Sequence, residues 1–297
     1  MIISRLMQGI GRVRSCPEPS LPIFDIRLLS RSLRDSNQAR IRALCKVAYL
    51  GEATALCRAL GRYKMYVDTQ DNGLSPHLML DGYWEMWLTE VIVDLVKPGM
   101  VVADIGANLG YYTVLMAELV GVNGRVHAFE PNPKMIRRLK MSLEVNGLSG
   151  QVDLHNIALG EHADHAMTFV IPPGEPKNAY IIPYDGVVPD GGAVLQPHRL
   201  DGSSDWARIE FAKIDVEGAE QLVWAGAQGL LDGSALKTVI LEFTNGRYAD
   251  PGAFLDRILA PGFSLQYIDP RKGICNISRQ SVLEHPPAED ILLLLSR

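Results

Sequence analysis

The chain has 297 residues, 47% of them apolar and 21% charged, with a formal net charge of -5. That balance excludes an intrinsically disordered chain and allows one large core with an appendage. The acidic total disfavours nucleic acid as a partner.

The charge is unevenly spread. Residues 1–64 hold twelve Lys/Arg against four Asp/Glu, about +8, which leaves about -13 on the rest. A basic section of this kind faces an anionic membrane surface or an acidic partner, or docks on the acidic body of its own chain. Cys16, Cys45, Cys57 and Cys275 form no C-x-x-C pair and show no zinc spacing against the seven histidines. Reduced thiols and a cytoplasmic location are therefore expected. The apolar run Ile291 to Leu295 is too short to span a bilayer. Arg5, Arg12 and Arg14 interrupt the N-terminus, which does not read as a signal peptide.

In chain order, Pro17, Pro19 and Pro22 predict an irregular start over residues 1–34. Ile41, Leu44, Val47, Ala48, Leu56 and Leu60 lie at helical spacing, so a helix is expected over 36–60, with Gly51 as a point of weakness. Lys64–Asp68 reads as a short strand, Gln70–Gly73 as a turn, and 83–96 as a helix stopped by Pro98-Gly99. From residue 101 strands and helices alternate, the pattern of a parallel sheet covered on both faces. Seven strands are expected, at 101–105, 125–129, 152–158, 209–216, 238–243, 263–268 and 291–295, with 167–171 as a hairpin arm. Helices are expected through 120, over 133–146, near 219–231 and over 251–260. The Pro- and Gly-rich stretch 172–197 reads as a long loop on the acceptor side.

The chemistry concentrates in three places. The strand Val101–Ile105 runs into Gly106-Ala-Asn-Leu-Gly110 and then a helix N-terminus, whose free N–H groups favour an anion. A dinucleotide site would want G-x-G-x-x-G, and Asn108 stands where the middle glycine should be. A pyrophosphate is thereby disfavoured and a small carboxylate suits better, with Asp104 placed for a cationic amino group. Glu130 follows Gly110 by twenty residues, about where an acid accepts from ribose hydroxyls; otherwise it caps the next helix. Adenosine plus an amino-acid end, without pyrophosphate, describes S-adenosylmethionine. The third place is Lys213-Ile-Asp-Val-Glu-Gly-Ala-Glu220, at a strand end opening a helix.

That last block resembles the signature of FkbM-type methyltransferases. The resemblance extends to Asp104–Thr113, Ala128–Pro133, Arg199-Leu-Asp201 and Leu241-Glu-Phe243, five blocks in order over roughly residues 61–295. It implies a Rossmann-like, α/β class I methyltransferase fold: a seven-stranded, mostly parallel sheet with helices on both faces. The methyltransferase domain is then 63–297 and residues 1–62 a partly helical N-terminal extension. It also implies S-adenosylmethionine as cofactor and S-adenosylhomocysteine as product. On that pattern Gly106, Asn108 and Gly110 frame the methionine end, Tyr112 and Thr113 sit on the following helix, and Glu130 takes the ribose. Asn156 faces the adenine edge or serves as a turn residue, Glu85 closes over the cofactor, and Asp215 faces the methyl group.

The expected activity is O-methylation of a hydroxyl on a sugar, glycan or secondary metabolite. Asp215, Glu217 and His198 are the candidate bases, His198 otherwise being a plain loop residue. Asp215, Glu217 and Glu242 would hold Mg²⁺ if they converged, but the favoured reading has no metal, with Glu217 and Glu220 stabilising a helix N-terminus. A nicotinamide-dependent oxidoreductase, a non-catalytic cofactor-binding protein and an RNA methylase are the competing readings. A homodimer is the assembly considered.

Overall fold

The computed structural model describes residues 22–175 and 178–297. The expectations placed on Cys16, Pro17, Pro19 and the N-terminal arginines lie outside the described residues.

Helix α1 (Arg34–Leu44) is followed by a three-stranded antiparallel sheet of β1 (Val47–Gly51), β2 (Thr54–Ala59) and β3 (Tyr63–Asp68). This corrects the helix expected over 36–60. Its second half alternates as a strand: every other residue of β2 is buried, and Gly51, Glu52 and Ala53 all take positive φ, closing a hairpin. Helices α2 (Leu74–Leu80) and α3 (Met86–Leu95) come next.

From there the chain runs β4 (Val101–Ile105), α4 (Tyr111–Val120), β5 (Arg125–Phe129), α5 (Pro133–Asn146) and β6 (Val152–His155). Short strands β7 (Met167–Val170), β8 (Tyr180–Pro183) and β9 (Ala193–Leu195) form a small sheet of their own. Then follow β10 (Phe211–Ile214), α6 (Glu220–Ala225), α7 (Gln228–Asp232), β11 (Thr238–Phe243) and α8 (Pro251–Leu259). The chain closes with β12 (Ser264–Asp269), β13 (Gly273–Asn276), α9 (Arg279–Leu283) and β14 (Ile291–Ser296).

The main sheet has the order β13-β12-β14-β11-β10-β4-β5-β6. It contains all seven expected strands plus the hairpin edge β13. β6, β5, β4, β10 and β11 run parallel, and β14 lies antiparallel between β11 and β12. Chain order reverses between β4 and β10, so a crevice opens at their C-terminal ends, the usual ligand position in such sheets.

Adjacent residues on each central strand feed opposite faces of the sheet. Val102 belongs to one buried cluster, with Leu115, Leu139 and Ile92, whereas Ala103 belongs to a second, with Val223, Phe254 and Val282. Helix α5 shows how locally the elements are specified. Asn132 accepts from Lys134 N at its start, Pro133 holds the first position, and Gly147 ends it at φ 69°.

The β1–β3 sheet docks on α5: Ser142 Oγ accepts from Tyr66 N at 3.0 Å, and Arg138 pairs with Asp68 at 2.9 Å. Residue 62 lies in the turn between β2 and β3, so strand pairing crosses the boundary expected there. The stretch expected as one long loop over 172–197 instead contributes β8 and β9, both antiparallel to β7. Tyr180-Ile-Ile and Ala193-Val-Leu are too short to show a period among the surrounding prolines and glycines. The helix expected near 219–231 is broken in two at Gly226, whose α-carbon abuts Gly160; a Cβ there would stand 2.0 Å from the Gly160 carbonyl oxygen.

Candidate active site

A cavity of about 720 Å³ fills the crevice at the ends of β4, β5, β10 and β11, within the range of small-molecule sites. One side is lined by Gly106, Asn108 and Glu130, the other by Asp215, Glu217 and Glu242, and Phe169, Tyr180 and Ile181 of the small sheet line it as well.

On the first side the backbone sets the shape. Gly106 has φ 83°, and a Cβ there would stand 1.8 Å from the Asp215 carbonyl oxygen. Only glycine lets β4 turn so close to the end of β10. Asn108 is also left-handed, at φ 52°, with its own Oδ1 accepting from Leu109 N. Its N–H donates to Glu130 Oε2 at 2.9 Å, while Glu130 Oε1 accepts from Asn132 N at 2.8 Å. Glu130 is thus buried and fixed at the cavity wall, and burial pushes its carboxyl up to about 7. Gly110, at φ 86°, packs against Leu139.

Beneath this turn Asp104 is buried, accepting from Thr113 Oγ1 at 2.5 Å through one oxygen while Oδ1 has no partner. Thr113 is also fully buried, so both act one layer below the cavity. Tyr112 donates its hydroxyl to Glu85 Oε2 at 2.8 Å, which ties the left-handed Glu85 (φ 33°) to α4 at the cavity rim.

Two of the expected residues take other roles. Asn156 donates Nδ2 to the Glu130 and Pro131 carbonyls at 2.9 Å each, and Ile157, Ala158 and Leu159 line the cavity in its place. This is its turn role rather than an adenine contact. His198 is exposed, bonded through its backbone to Ala158 and Gly160, and away from the cavity wall. The structure places it as a loop residue outside the cavity lining.

The second side is electrostatic. Asp215, Glu217 and Glu242 converge, each with a carboxylate oxygen within 4.8 Å of the others. Arg247 donates to Glu217 at 2.7 Å and to Glu242 at 2.8 Å, so a guanidinium already neutralises part of the cluster. Burial, together with Asp215, Asp290 and Glu217, raises Glu242 to about 9 against the pull of Arg247. Glu217 sits at φ 54° and Gly218 at φ 102°, a turn pinned by the buried Glu220, which accepts from Val216 N, Gly218 N and Tyr248 Oη.

Lys213 was not expected among the site residues. Its ammonium is buried, lies 2.8 Å from Asp215 Oδ2, and sits over the Tyr112 ring at 5.0 Å. Burial opposes its charge, yet Asp215 and Asp104 hold its pKa above the usual lysine value. The signal was present: a lysine inside the apolar strand Phe211–Ile214 needs a buried partner. Arg247 carried no comparable signal, since its partners lie 5 and 30 residues away.

A model of the methyltransferase FkbM domain matches residues 104–265, more than half of the chain. The chain belongs to that family. FkbM methyltransferases take their methyl group from S-adenosylmethionine, and the first side of the cavity offers such a donor a fitting frame in the Gly106 turn and the fixed Glu130, with the unpartnered Asp104 oxygen one layer beneath them. A protein-L-isoaspartate O-methyltransferase of Methanococcoides burtonii is 34% identical over 93 residues, 29% of this chain and 46% of that protein. A tRNA wybutosine-synthesizing protein 2 homolog of Danio rerio is 35% identical over 83 residues, 26% of this chain and 20% of that one. The chain thus spans less than half the length of these curated relatives. A crystal structure of the FkbM methyltransferase of Methylobacillus flagellatus aligns with 16% identity and a TM-score of 0.42, covering 67% of this chain and 44% of that one. Among the described residues no helix is long and apolar enough to cross a membrane.

Proposed function

We propose that the chain is an S-adenosylmethionine-dependent O-methyltransferase acting on a hydroxyl of a sugar, glycan or secondary metabolite. The observation that carries this is one cavity shared by the Gly106–Glu130 frame and the carboxylate cluster at Asp215. When bound, the donor supplies a methyl group made electrophilic by its sulfonium. Gly106, Asn108 and Glu130 hold it, Glu85 and Tyr112 close its rim, and the buried Asp104 lends its charge to the amino end from beneath the turn. Asp215 stands at the border of the two sides, oriented by Lys213. Across that border Glu217 accepts hydrogen bonds from acceptor hydroxyls, while Arg247 holds both Glu217 and Glu242 in place. Asp215 or Glu217 takes the hydroxyl proton as the methyl group is transferred. Glu242, raised to about 9, stays protonated at neutral pH and donates instead.

Isothermal titration with S-adenosylhomocysteine, with NADH in parallel, tests the donor. Micromolar binding of the first alone is expected; NADH binding alone would replace this reading with an oxidoreductase. Turnover on hydroxylated glycans, with none on isoaspartyl peptide or tRNA, is the expected acceptor result, and the reverse would overturn the acceptor class.

A further inference from the structure

Outside the cavity, the turn between β6 and β7 carries Glu161-His-Ala-Asp-His165. His162, Asp164 and His165 are exposed, and each offers one ligand atom within 4.8 Å of the other two. The two imidazoles lie 4.7 Å apart between ring centroids, tilted by 58°. We propose that His162, Asp164 and His165 form a binding site for a borderline divalent cation such as Zn²⁺, which clasps the root of the small β7–β9 sheet.

The donor set is the argument. Two imidazoles and one carboxylate suit Zn²⁺, Co²⁺ or Ni²⁺, and suit Mg²⁺ or Ca²⁺ poorly. Tetrahedral Zn²⁺ with ligands at about 2.0–2.2 Å puts its ligand atoms about 3.3 Å apart. Closing from the present spacing takes side-chain rotation on exposed residues, with no movement of a packed element. Glu161 Oε1 lies 3.6 Å from His162 Nε2, within a small side-chain rotation of the hydrogen bond that carboxylates make to metal-bound histidines. Water fills the remaining coordination position.

The turn is anchored at its base. Gly160 N donates to the His198 carbonyl at 2.9 Å, and Arg199 donates to the Glu161 carbonyl at 2.7 Å. Beyond it, β7 begins at Met167 and carries Phe169 to the cavity wall. A cation here fixes the entry of the central strand of that small sheet, and so the acceptor-side wall. The site itself is independent of the methyl-transfer reading, because none of its ligands lines the cavity.

The full chain, stripped with a chelator, is titrated calorimetrically with Zn²⁺ and separately with Mg²⁺. One Zn²⁺ per chain at micromolar affinity is expected, with Mg²⁺ silent. His162→Ala/His165→Ala is expected to weaken Zn²⁺ binding by well over tenfold, since losing even an outer partner costs about that much. Its metal-free melting temperature should match the parent, because both rings are exposed, and only the parent should gain melting temperature on adding Zn²⁺. No Zn²⁺ binding by the parent, or equal binding by the double variant, overturns the site. An altered metal-free melting temperature also overturns it, since the rings would then be packing groups.

Discussion

The two sides of the cavity are built by different means. The side at the ends of β4 and β5 is shaped by backbone: two left-handed residues, a glycine pressed against a carbonyl, and one acid held by two amides. The side at the ends of β10 and β11 is held by charge, with Arg247 and Lys213 set among Asp215, Glu217, Glu242 and Asp290. Backbone shape is rigid and insensitive to pH; an ion cluster of uneven charge is neither. A site that holds one constant donor and a family-specific acceptor gains from that division.

The largest effect should come from Gly106→Ala. The new methyl group would need both a left-handed alanine and a shift of the Asp215 carbonyl, 1.8 Å away. Strain and overpacking together cost about 3–5 kcal/mol, a large part of a domain's stability. Urea denaturation measures it, and a loss under about 1 kcal/mol would mean that the turn gives way and the backbone side is not rigid.

Arg247→Ala attacks the other side. It leaves Glu217 and Glu242 without their cation, and a pair between the exposed and buried extremes is worth about 2 kcal/mol. Removing the cation raises the folded-state proton affinity of Glu242 further above its value of about 9. The folded state then binds more protons than the unfolded one above that pH, so stability falls as pH rises. The deficit should stay level between pH 5 and 8 and widen above about pH 9 in denaturation curves. S-adenosylhomocysteine affinity should change little; its collapse in this variant would show that the two sides do not act separately.

How far each side was legible in the sequence follows from the same division. The backbone side is local: Val101–Gly110 contains its strand, its turn and its helix start, and Glu130 ends the next strand. Spacing alone therefore placed Gly106, Asn108 and Glu130. The charged side depends on contacts across 30 or more residues, such as Glu217 with Arg247 and Thr244 with Asp290. Of these residues, the signature block brought out Asp215 and Glu217, and Arg247 went unread. The same limit explains the β1–β2 hairpin, whose apolar residues fit helical spacing until the φ values at 51–53 show the turn. It also explains His198 and Asn156, whose backbone partners in neighbouring loops no local pattern reveals.

The smallest expected effect tests how far the backbone side responds to pH through Glu130, the carboxyl held between its two amides at the cavity wall. Its carboxyl is raised to about 7 by burial, so it is mostly protonated at pH 6 and mostly ionised at pH 8. In the proposed complex the two ribose hydroxyls would donate to the ionised form, and the amides of Asn108 and Asn132 leave lone pairs for them. Affinity then follows the ionised fraction, which rises about tenfold between those pH values, close to 1.4 kcal/mol. Calorimetric titration with S-adenosylhomocysteine should show that rise, and Glu130→Gln should bind more weakly with a flat profile. A flat profile in the parent would place the carboxylate outside the ribose contact, and the donor would then be held by the glycine turn and α4 alone.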